Sequence, residues 1–243
     1  MVRMISAFNV LLCKEAIAFT TNGLKFRPCT YRYQYRYQYN YQEYRSFQCS
    51  TRTCLQLQLS PDEIAASLGP DRTIASEPFT WEQLKEIVTF GDPTMHSRSM
   101  EVQEKYLLHS RQIKKEWRSI NDFILHSKFE FDKKVEDVGD GDGTGKFIAS
   151  PSLDQAKREN RIEKRLLLNE YPYYVCPGIE HWCLWKLGGR VESDEIEWAE
   201  RELITMGIGA DKEDIMSWVN PPHLQSIPDI DHAHFLCLRS IDR

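Results

Sequence analysis

The chain has 243 residues, which is enough for one domain of ordinary size with an extension. Its 36 acidic and 31 basic residues are interspersed and give a formal net charge of −5. Nucleic acid is therefore not expected as a partner, because it binds basic patches or stripes, and no apolar run approaches the roughly 20 residues of a membrane span.

The seven cysteines show no regular spacing, and four of them precede residue 55. A small disulfide-stapled domain would instead carry an even set at regular intervals. The cysteine pattern therefore favours a reducing compartment.

The first 59 residues lack the pattern of a folded domain. The apolar run Met4–Cys13 lies between a basic start and the small residues Ala16–Ala18, which is the order of a cleavable signal peptide. No acidic residue occurs in residues 19–42, and this order resembles the two-part presequences that direct proteins to complex plastids. The alternating Tyr, Gln and Arg of Tyr31–Tyr44 are typical of disordered, association-prone chain. Residues 1–59 are thus predicted to be either a presequence, with a plastid or other organelle as destination, or a disordered Tyr-rich extension.

Helix start signals follow this region. Ser60 and Glu63 can form a capping box around a proline, which predicts a short helix and a linker over residues 60–78. A second capping box at Thr80–Gln83 opens an amphipathic helix that Gly91 ends.

The remaining chain alternates helical and extended patterns. Helices are predicted over residues 99–126 with a break near Arg118–Ser119, over residues 152–169, and from a capping Ser193 to Gly207. Asp211–Trp218 is predicted to be a short helix or turn, and Trp182–Leu187 and Phe235–Leu238 are predicted strands. This order predicts an α+β fold with N-terminal helices, then a small, mainly antiparallel sheet with a crossing helix, in a single domain over residues 79–243.

The stretch V-G-D-G-D-G-T-G-K from Val138 invites two motif assignments. A calcium loop would need Asp and Glu at its ends, where Val138 and Ala149 stand. A phosphate loop would need a glycine where Asp140 stands and Ser or Thr where Phe147 stands. A flexible surface insertion over residues 136–150 is therefore predicted.

Four segments together resemble the fungal N-acetylglucosamine-induced protein family, a eukaryotic group of unknown function. They are F-T-W-E-Q-L-K-E-I-V from Phe79, I-K-K-E-W-R-S-I-N-D-F-I-L from Ile113, Y-P-Y-Y-V-C-P-G-I-E-H-W-C-L-W-K-L from Tyr171, and W-V-N-P-P-H-L-Q-S-I-P-D-I-D-H-A-H-F-L-C-L-R from Trp218. The resemblance spans about two-thirds of the chain. It implies a cytoplasmic protein with no established activity.

The last segment carries two histidines with one residue between them. Gln225-Ser226 followed by His232-Ala233-His234 resembles the final strand of the histidine-triad nucleotide hydrolases and transferases, where a histidine attacks a phosphate. That resemblance implies catalytic roles for His232 and His234. Ile230 stands where the first histidine of the triad is expected, and the spacing from Gln225 is one residue longer than in the superfamily.

Two other interpretations of the histidine pair remain open. Residues at i and i+2 of a strand share a face, so His232 and His234 could bind a metal that Asp229 or His223 completes. Alternatively, they are hydrogen-bonded structural residues at the edge of a pocket. The sequence identifies no cofactor and leaves the oligomeric state open.

A small-molecule pocket is predicted beside these histidines, with aromatic residues as a stacking wall. Its predicted ligand-binding residues are His181, Trp182, Trp185, Asn220, His223, Gln225 and Ser226. Alternation places His181, Cys183 and Trp185 on one face of their strand and Trp182 on the other. Three functions follow as hypotheses: binding of a sugar- or nucleotide-like ligand, hydrolysis or transfer on a phosphorylated compound, or a non-catalytic interaction role in which the aromatics form only core.

Overall fold

The computed structural model describes residues 59–68, 73–91, 97–136, 145–225 and 227–239, and the side chain of His223 lies outside this description. The predicted α+β class is confirmed. The helices are α1 (Pro61–Ala66), α2 (Trp81–Phe90), α3 (Met100–Glu116), α4 (Ile120–Phe129), α5 (Leu153–Arg158) and α6 (Ser193–Thr205). The strands are β1 (Asp132–Glu136), β2 (Lys146–Ser150), β3 (Glu163–Leu168), β4 (Ile179–Leu187), β5 (Ile215–Val219) and β6 (Asp231–Leu238), with short 3-10 helices at Lys212–Asp214 and Pro222–Leu224. The predicted presequence or Tyr-rich extension falls outside the described residues, apart from Leu59.

The N-terminal helices α1 and α2 begin at the capping residues that the sequence predicts. The capping boxes of α1 and α2 form at Ser60 and Thr80, and Gly91 ends α2 in a left-handed conformation with φ of 69°. The long helical pattern breaks where Trp117 becomes extended, and Ser119 then caps α4 through the Asp122 N–H. None of the described helices is both long and apolar enough to cross a membrane.

The predicted insertion extends too far at its C-terminal end. Lys146–Ser150 forms β2, which pairs antiparallel with β1 in a two-stranded sheet. Ala149 on β2 is only 2% exposed and packs against α4, because its N–H is bonded to the buried carboxylate of Asp122 at 3.0 Å. Residues 137–144 of the predicted insertion lie outside the described ranges.

Two helix predictions are wrong because strand pairing overrides local pattern. The predicted helix over residues 152–169 ends at Arg158, Asn160 takes a left-handed conformation, and Glu163–Leu168 becomes β3 paired with β4. The predicted short helix or turn at Asp211–Trp218 is mostly β5, paired with β6. Helix propensity is a weak preference, and inter-strand hydrogen bonds satisfy backbone groups as well as helical ones do. A segment that lies beside an open strand edge therefore becomes a strand.

The main sheet is antiparallel throughout, in the order β3-β4-β6-β5. Leu184 of β4 and Ala233 and Phe235 of β6 are fully buried on one face, where the crossing helix α6 covers them with Ala199 and Leu203. We call this the α6 face. The opposite face, here the inner face, carries His181, Cys183 and Trp185 of β4 beside His232 and His234 of β6.

Helix α6 starts one residue away from its predicted cap. Glu192 takes the N-cap position instead of Ser193, and Glu195 reaches back to the Glu192 N–H. Glu195 also pairs with Lys186 of β4 at 2.7 Å, with both side chains 10% exposed. A buried ion pair therefore ties the helix to the sheet.

Gly188 allows the end of β4 to pass close to the chain that joins α5 to β3. Its φ is +88°, and a Cβ added there would lie 2.4 Å from the carbonyl oxygen of Arg161. Its neighbour Gly189 also has a positive φ, +106°, but an added Cβ would meet nothing within 4 Å.

Replacing Gly189 with alanine is expected to cost about 1–2 kcal/mol of unfolding free energy through backbone strain alone. Gly188→Ala is expected to lower the unfolding free energy clearly more, because the new Cβ would also overlap the carbonyl oxygen of Arg161. Urea denaturation of the two variants measures the difference. Equal losses would show that the approach to Arg161 is not close enough to matter.

Candidate ligand site between the sheet and the helices

A cavity of about 450 Å³ lies between the inner face of the sheet and helices α3 and α4. Its helix side is built from residues spaced by three or four along α3, which share one face of that helix. Aromatic side chains line much of it, namely Tyr106, Trp117, Phe123, Tyr171, Tyr173 and Trp185. The cavity therefore offers flat, apolar walls at a size typical of small-molecule sites.

The charged residues that line the cavity are mostly basic. They are Arg98, Lys114, Arg118 and Lys128, against the single carboxylate of Glu170. Glu170 pairs with Lys128 at 2.6 Å, and Arg118 pairs outside the cavity lining with Asp122 and Glu136. The excess of positive charge favours an anionic ligand.

His232 lines the cavity, and its side chain is buried and stacked but only partly hydrogen-bonded. It is 6% exposed, and its ring stacks on Trp185 with centroids 4.6 Å apart. Its Nδ1 is buried and makes no hydrogen bond to the described residues. Burial lowers the pKa of His232, and the Ile230 backbone and the Asp231 charge oppose the shift only in part. His232 is thus a neutral imidazole with unused hydrogen-bonding capacity.

His234 differs from His232 because both of its ring nitrogens are engaged. Its Nδ1 lies 3.0 Å from Nε2 of His181 across the β4–β6 pairing, and its Nε2 lies 3.0 Å from Nδ2 of Asn220. The Oδ1 of Asn220 accepts from the indole N–H of Trp218 at 3.0 Å, which fixes the amide with its donor towards His234. His234 is therefore part of a buried network.

The same network holds His181. The Tyr173 N–H donates to His181 Nδ1 at 3.2 Å, and Nδ2 of Asn169 lies 3.3 Å from both ring nitrogens. Asn169 uses its Oδ1 to accept from the Tyr171 N–H, so it too presents a donor to the ring. Amide donors thus surround the imidazole pair.

His181, Cys183 and His234 have the spacing of a metal site. Their potential ligand atoms lie within 4.8 Å of one another, and the 3.5 Å between Cys183 Sγ and His234 Nδ1 is close to the roughly 3.6 Å expected around tetrahedral zinc. His232, which the sequence pairs with His234 as a metal ligand, is not in this group.

Hydrogen bonding opposes a metal at this trio. A ligating histidine normally donates the N–H of its other ring nitrogen to an acceptor. His181 Nδ1 instead accepts from a backbone N–H, so neutral His181 carries its proton on Nε2, the atom that faces His234. Burial also raises the pKa of the Cys183 thiol to about 12. The arrangement favours a hydrogen-bonded pair of histidines over a metal centre.

The structure separates the remaining predicted ligand-binding residues. Trp182 lies on the α6 face and packs against its core, so it does not line this cavity. Gln225 lies outside the cavity lining and donates to the Asn220 carbonyl at 2.9 Å. Ser226 and the side chain of His223 lie outside the described part of the chain.

The sequence interpretation missed the helix side of the site. His109 of α3 lines the cavity, and its Nδ1 lies 2.5 Å from the Tyr171 hydroxyl in a hydrogen bond. Arg98 donates to the Tyr171 carbonyl at 3.0 Å and lies over the Tyr106 ring. The spacing of Tyr106, His109 and Ile113 along one helix face was the available signal.

Comparisons with known proteins find a matching family profile, similar sequences and a similar fold. A sequence profile of the family described as "Protein of unknown function (DUF3605)" matches residues 80–238, which include every cavity residue. N-acetylglucosamine-induced protein 1 of Candida albicans is 25% identical over 190 residues, covering 71% of this chain and 73% of that protein. Uncharacterized protein YPL067C of Saccharomyces cerevisiae is 25% identical over 180 residues, covering 68% and 82%. The crystal structure of HTC1 aligns with a TM-score of 0.42 and 21% identity over 68% of this chain and 88% of that one. The histidine-triad resemblance stays a prediction.

Proposed function

Because this chain belongs to the DUF3605 family of proteins of unknown function, its activity has to be inferred from its own geometry, and we propose that it binds a small sugar- or nucleotide-like ligand in the cavity. The observation that carries the proposal is the buried Nδ1 of His232, which makes no hydrogen bond to the described residues. A buried polar atom without a partner costs about 1–3 kcal/mol, and a ligand that bonds to it would recover that cost. His232 lies where a ligand stacked beside Trp185 would reach it.

The shape and charge of the cavity support the same ligand class. About 450 Å³ accommodates a monosaccharide or nucleoside with an attached acidic group. Aromatic walls stack on sugar rings and bases alike, and the basic lining adds attraction for a negative group. The name of the Candida albicans relative links that protein to induction by N-acetylglucosamine, which supports including amino sugars among the compounds tested.

A second candidate function is hydrolysis or transfer on a phosphorylated compound at the same cavity. A neutral imidazole among basic side chains could serve as general base or nucleophile, and His232 has these properties. His234, with both ring nitrogens bonded, is better suited to hold its neighbours in position than to react.

Ligand binding is expected to show as a rise in melting temperature of the full chain with at least one amino sugar, hexose phosphate, nucleoside or nucleotide. Trp185→Leu should weaken that binding at least tenfold, because it removes the stacking wall. Trp182→Leu is the matched control on the same strand, and it should leave binding unchanged because Trp182 lies on the α6 face. Isothermal titration of the three proteins measures both effects.

Two results would contradict the proposal. If none of these compounds binds, the aromatic set is core and a non-catalytic interaction role is favoured. If Trp182→Leu weakens binding as much as Trp185→Leu, the ligand does not occupy this cavity.

A further inference from the structure

Helix α3 presents polar side chains to the cavity, although the face that a helix turns to the interior of a protein is normally apolar. The α3 residues that line the cavity lie three or four apart, on one face of the helix, and are Tyr106, His109, Ser110, Ile113, Lys114 and Trp117. His109, Ser110 and Lys114 are the polar members of this face. We call these three residues the polar strip of α3.

The fold leaves hydrogen-bonding capacity in this polar strip unused. The Nδ1 of His109 contacts the Tyr171 hydroxyl, but its Nε2 makes no hydrogen bond to the described residues. The hydroxyl of Ser110 and the ammonium of Lys114 likewise form no hydrogen bond or ion pair with the described part of the chain. A partner for these atoms therefore has to come from outside the described fold.

Polar residues on the exposed side of the same helix find partners one turn away. Lys105 donates to Glu101 at 2.6 Å, and Gln112 donates to Glu116 at 3.0 Å. Polar groups in an enclosed site are stabilised only when they are bonded. The contrast between the two sides of α3 is thus typical of a ligand-binding surface.

The imidazole of His109 is held in a fixed orientation. Its Nδ1 lies 2.5 Å from the Tyr171 hydroxyl, and its ring packs edge-on against Phe123 with centroids 5.2 Å apart. The backbone of Tyr171 is itself fixed, because its N–H donates to Oδ1 of Asn169 and its carbonyl accepts from Arg98. Burial lowers the pKa of His109, so the imidazole is neutral at pH 7. The strip therefore contains a pre-positioned, uncharged ring nitrogen.

Building on the proposed function, we propose that the polar strip of α3 recognises a sugar that carries an acidic substituent. A serine hydroxyl and a neutral imidazole nitrogen can donate or accept, which matches the hydroxyl groups of a sugar. A sugar ring also has an apolar face, and Trp185 on the opposite wall is available to stack on it. A nucleobase has two flat faces and few hydroxyl groups, so it would leave the strip unused.

Lys114 sets the position of the acidic substituent. Its ammonium only donates and carries a positive charge, so its best partner is a carboxylate or a phosphate group. Lys114 is exposed, whereas His109 and Ser110 are half-buried. The acidic substituent is thus expected at the mouth of the cavity, with the hydroxyl groups further inside.

Calorimetric titration of the full chain with glucose, glucuronate, glucose 6-phosphate and adenosine tests the ligand class. At least one of the two acidic sugars is expected to bind about tenfold more tightly than glucose and more tightly than adenosine. The tighter of the two identifies the acidic group as carboxylate or phosphate. Equal binding of glucose and both acidic sugars, tighter binding of adenosine, or no binding of any of the four would overturn this inference. The proposed function fails separately, only if none of the wider set of compounds raises the melting temperature.

Lys114→Gln tests the charged end of the strip. The preference for the acidic sugar over glucose should fall by about tenfold, while the affinity for glucose itself stays unchanged. Lys115→Gln is the matched control, because it removes the same charge from the neighbouring residue, which lies outside the cavity lining. An equal loss of preference in both variants would show a general effect of surface charge and overturn the role of Lys114.

His109→Asn tests the inner end. The shorter amide takes the place of Nδ1 and can keep the contact with Tyr171, but nothing replaces Nε2. Binding of glucose and of the acidic sugars should weaken about fivefold. His126→Asn is the control, since its Nδ1 bonds to the Phe131 carbonyl outside the cavity lining and its loss should leave binding unchanged. Unchanged sugar binding in a folded His109→Asn protein would overturn the proposal, and if this variant does not fold, the exposed Lys114 decides it.

Discussion

Replacing His232 with glutamine is expected to weaken ligand binding by a factor of about 10–100 and to change the unfolding free energy by no more than about 1 kcal/mol. The binding loss follows because glutamine removes the imidazole whose Nδ1 makes no hydrogen bond to the described residues, at the place where the proposed ligand would meet it. The small stability change follows because the substitution removes the ring contacts with Trp185 and His234, whereas glutamine keeps a polar group that can bond to the Ile230 backbone. Calorimetric titration and urea denaturation of the same variant measure the two quantities.

His234→Gln is expected to lower the unfolding free energy strongly and to change ligand binding less. It disrupts the contacts to His181 and Asn220, and each buried group left without a partner costs about 1–3 kcal/mol. Ala233→Val is the control between them, since Ala233 is fully buried on the α6 face and overpacking there costs about 1–3 kcal/mol without reaching the cavity. If His232→Gln lost stability and kept ligand affinity, His232 would be a structural residue.

The pH dependence of stability distinguishes His232 further. Burial lowers its pKa in the folded protein, whereas the unfolded chain takes up a proton near the ordinary pKa of about 6.5. The unfolded state therefore binds more protons below that pH, and stability should fall as the pH drops from 7 through 6.5. The fall should be smaller in His232→Gln. Burial also lowers the pKa of His109, but His109 is present in both proteins, so the difference isolates His232.

Breaking the ion pair between Lys186 and Glu195 is expected to cause the largest loss of stability, about 3 kcal/mol for either single substitution. Glu195→Gln keeps the shape of the helix cap but leaves the buried Lys186 ammonium with neutral acceptors, the Arg190 carbonyl and the new amide, in place of a carboxylate. Lys186→Met leaves the carboxylate with the more distant Lys164 at 3.6 Å. Removing one partner of a buried pair is costly because the other charge stays desolvated.

The double variant Lys186→Met with Glu195→Gln is expected to lose clearly less than the sum of the two single losses, because no buried charge is then left unpaired. The exposed pair of Lys105 and Glu101, with side chains 64% and 75% exposed, provides the comparison. Glu101→Gln should cost less than about 0.5 kcal/mol. Additive losses in the double variant would show that the two charges are not coupled.

The sequence was a good guide wherever the determining interaction is local. The caps at Ser60 and Thr80 and the break between α3 and α4 depend on side chains within four residues of the backbone groups they satisfy. Alternation along β4 likewise separated Trp185 from the α6 face, because the two-residue period of a strand is a property of its own backbone.

Prediction failed where distant pairing decides. Glu163–Leu168 is charged and helix-compatible, and only the edge of β4 turns it into a strand, as β6 does for Ile215–Val219. Trp182 is a different case: its residue type led to its assignment to the pocket, although local alternation alone already separates it from Trp185.

The candidate site shows the same division. The sequence singled out Trp185, His232 and His234, which line the cavity, and His181, which belongs to the buried network but not to the cavity lining. It could not show that the β4–β6 register brings His181 to 3.0 Å from His234 and leaves His232 stacked on Trp185, with an Nδ1 that makes no hydrogen bond to the described residues. Nor could it show that α3 and α4 bring His109 and Lys128 across from the sheet. Capping hydrogen bonds and the two-residue period of a strand depend on residues close together in the sequence. Strand register and helix docking depend on contacts between segments far apart in the chain, which only the folded structure brings together.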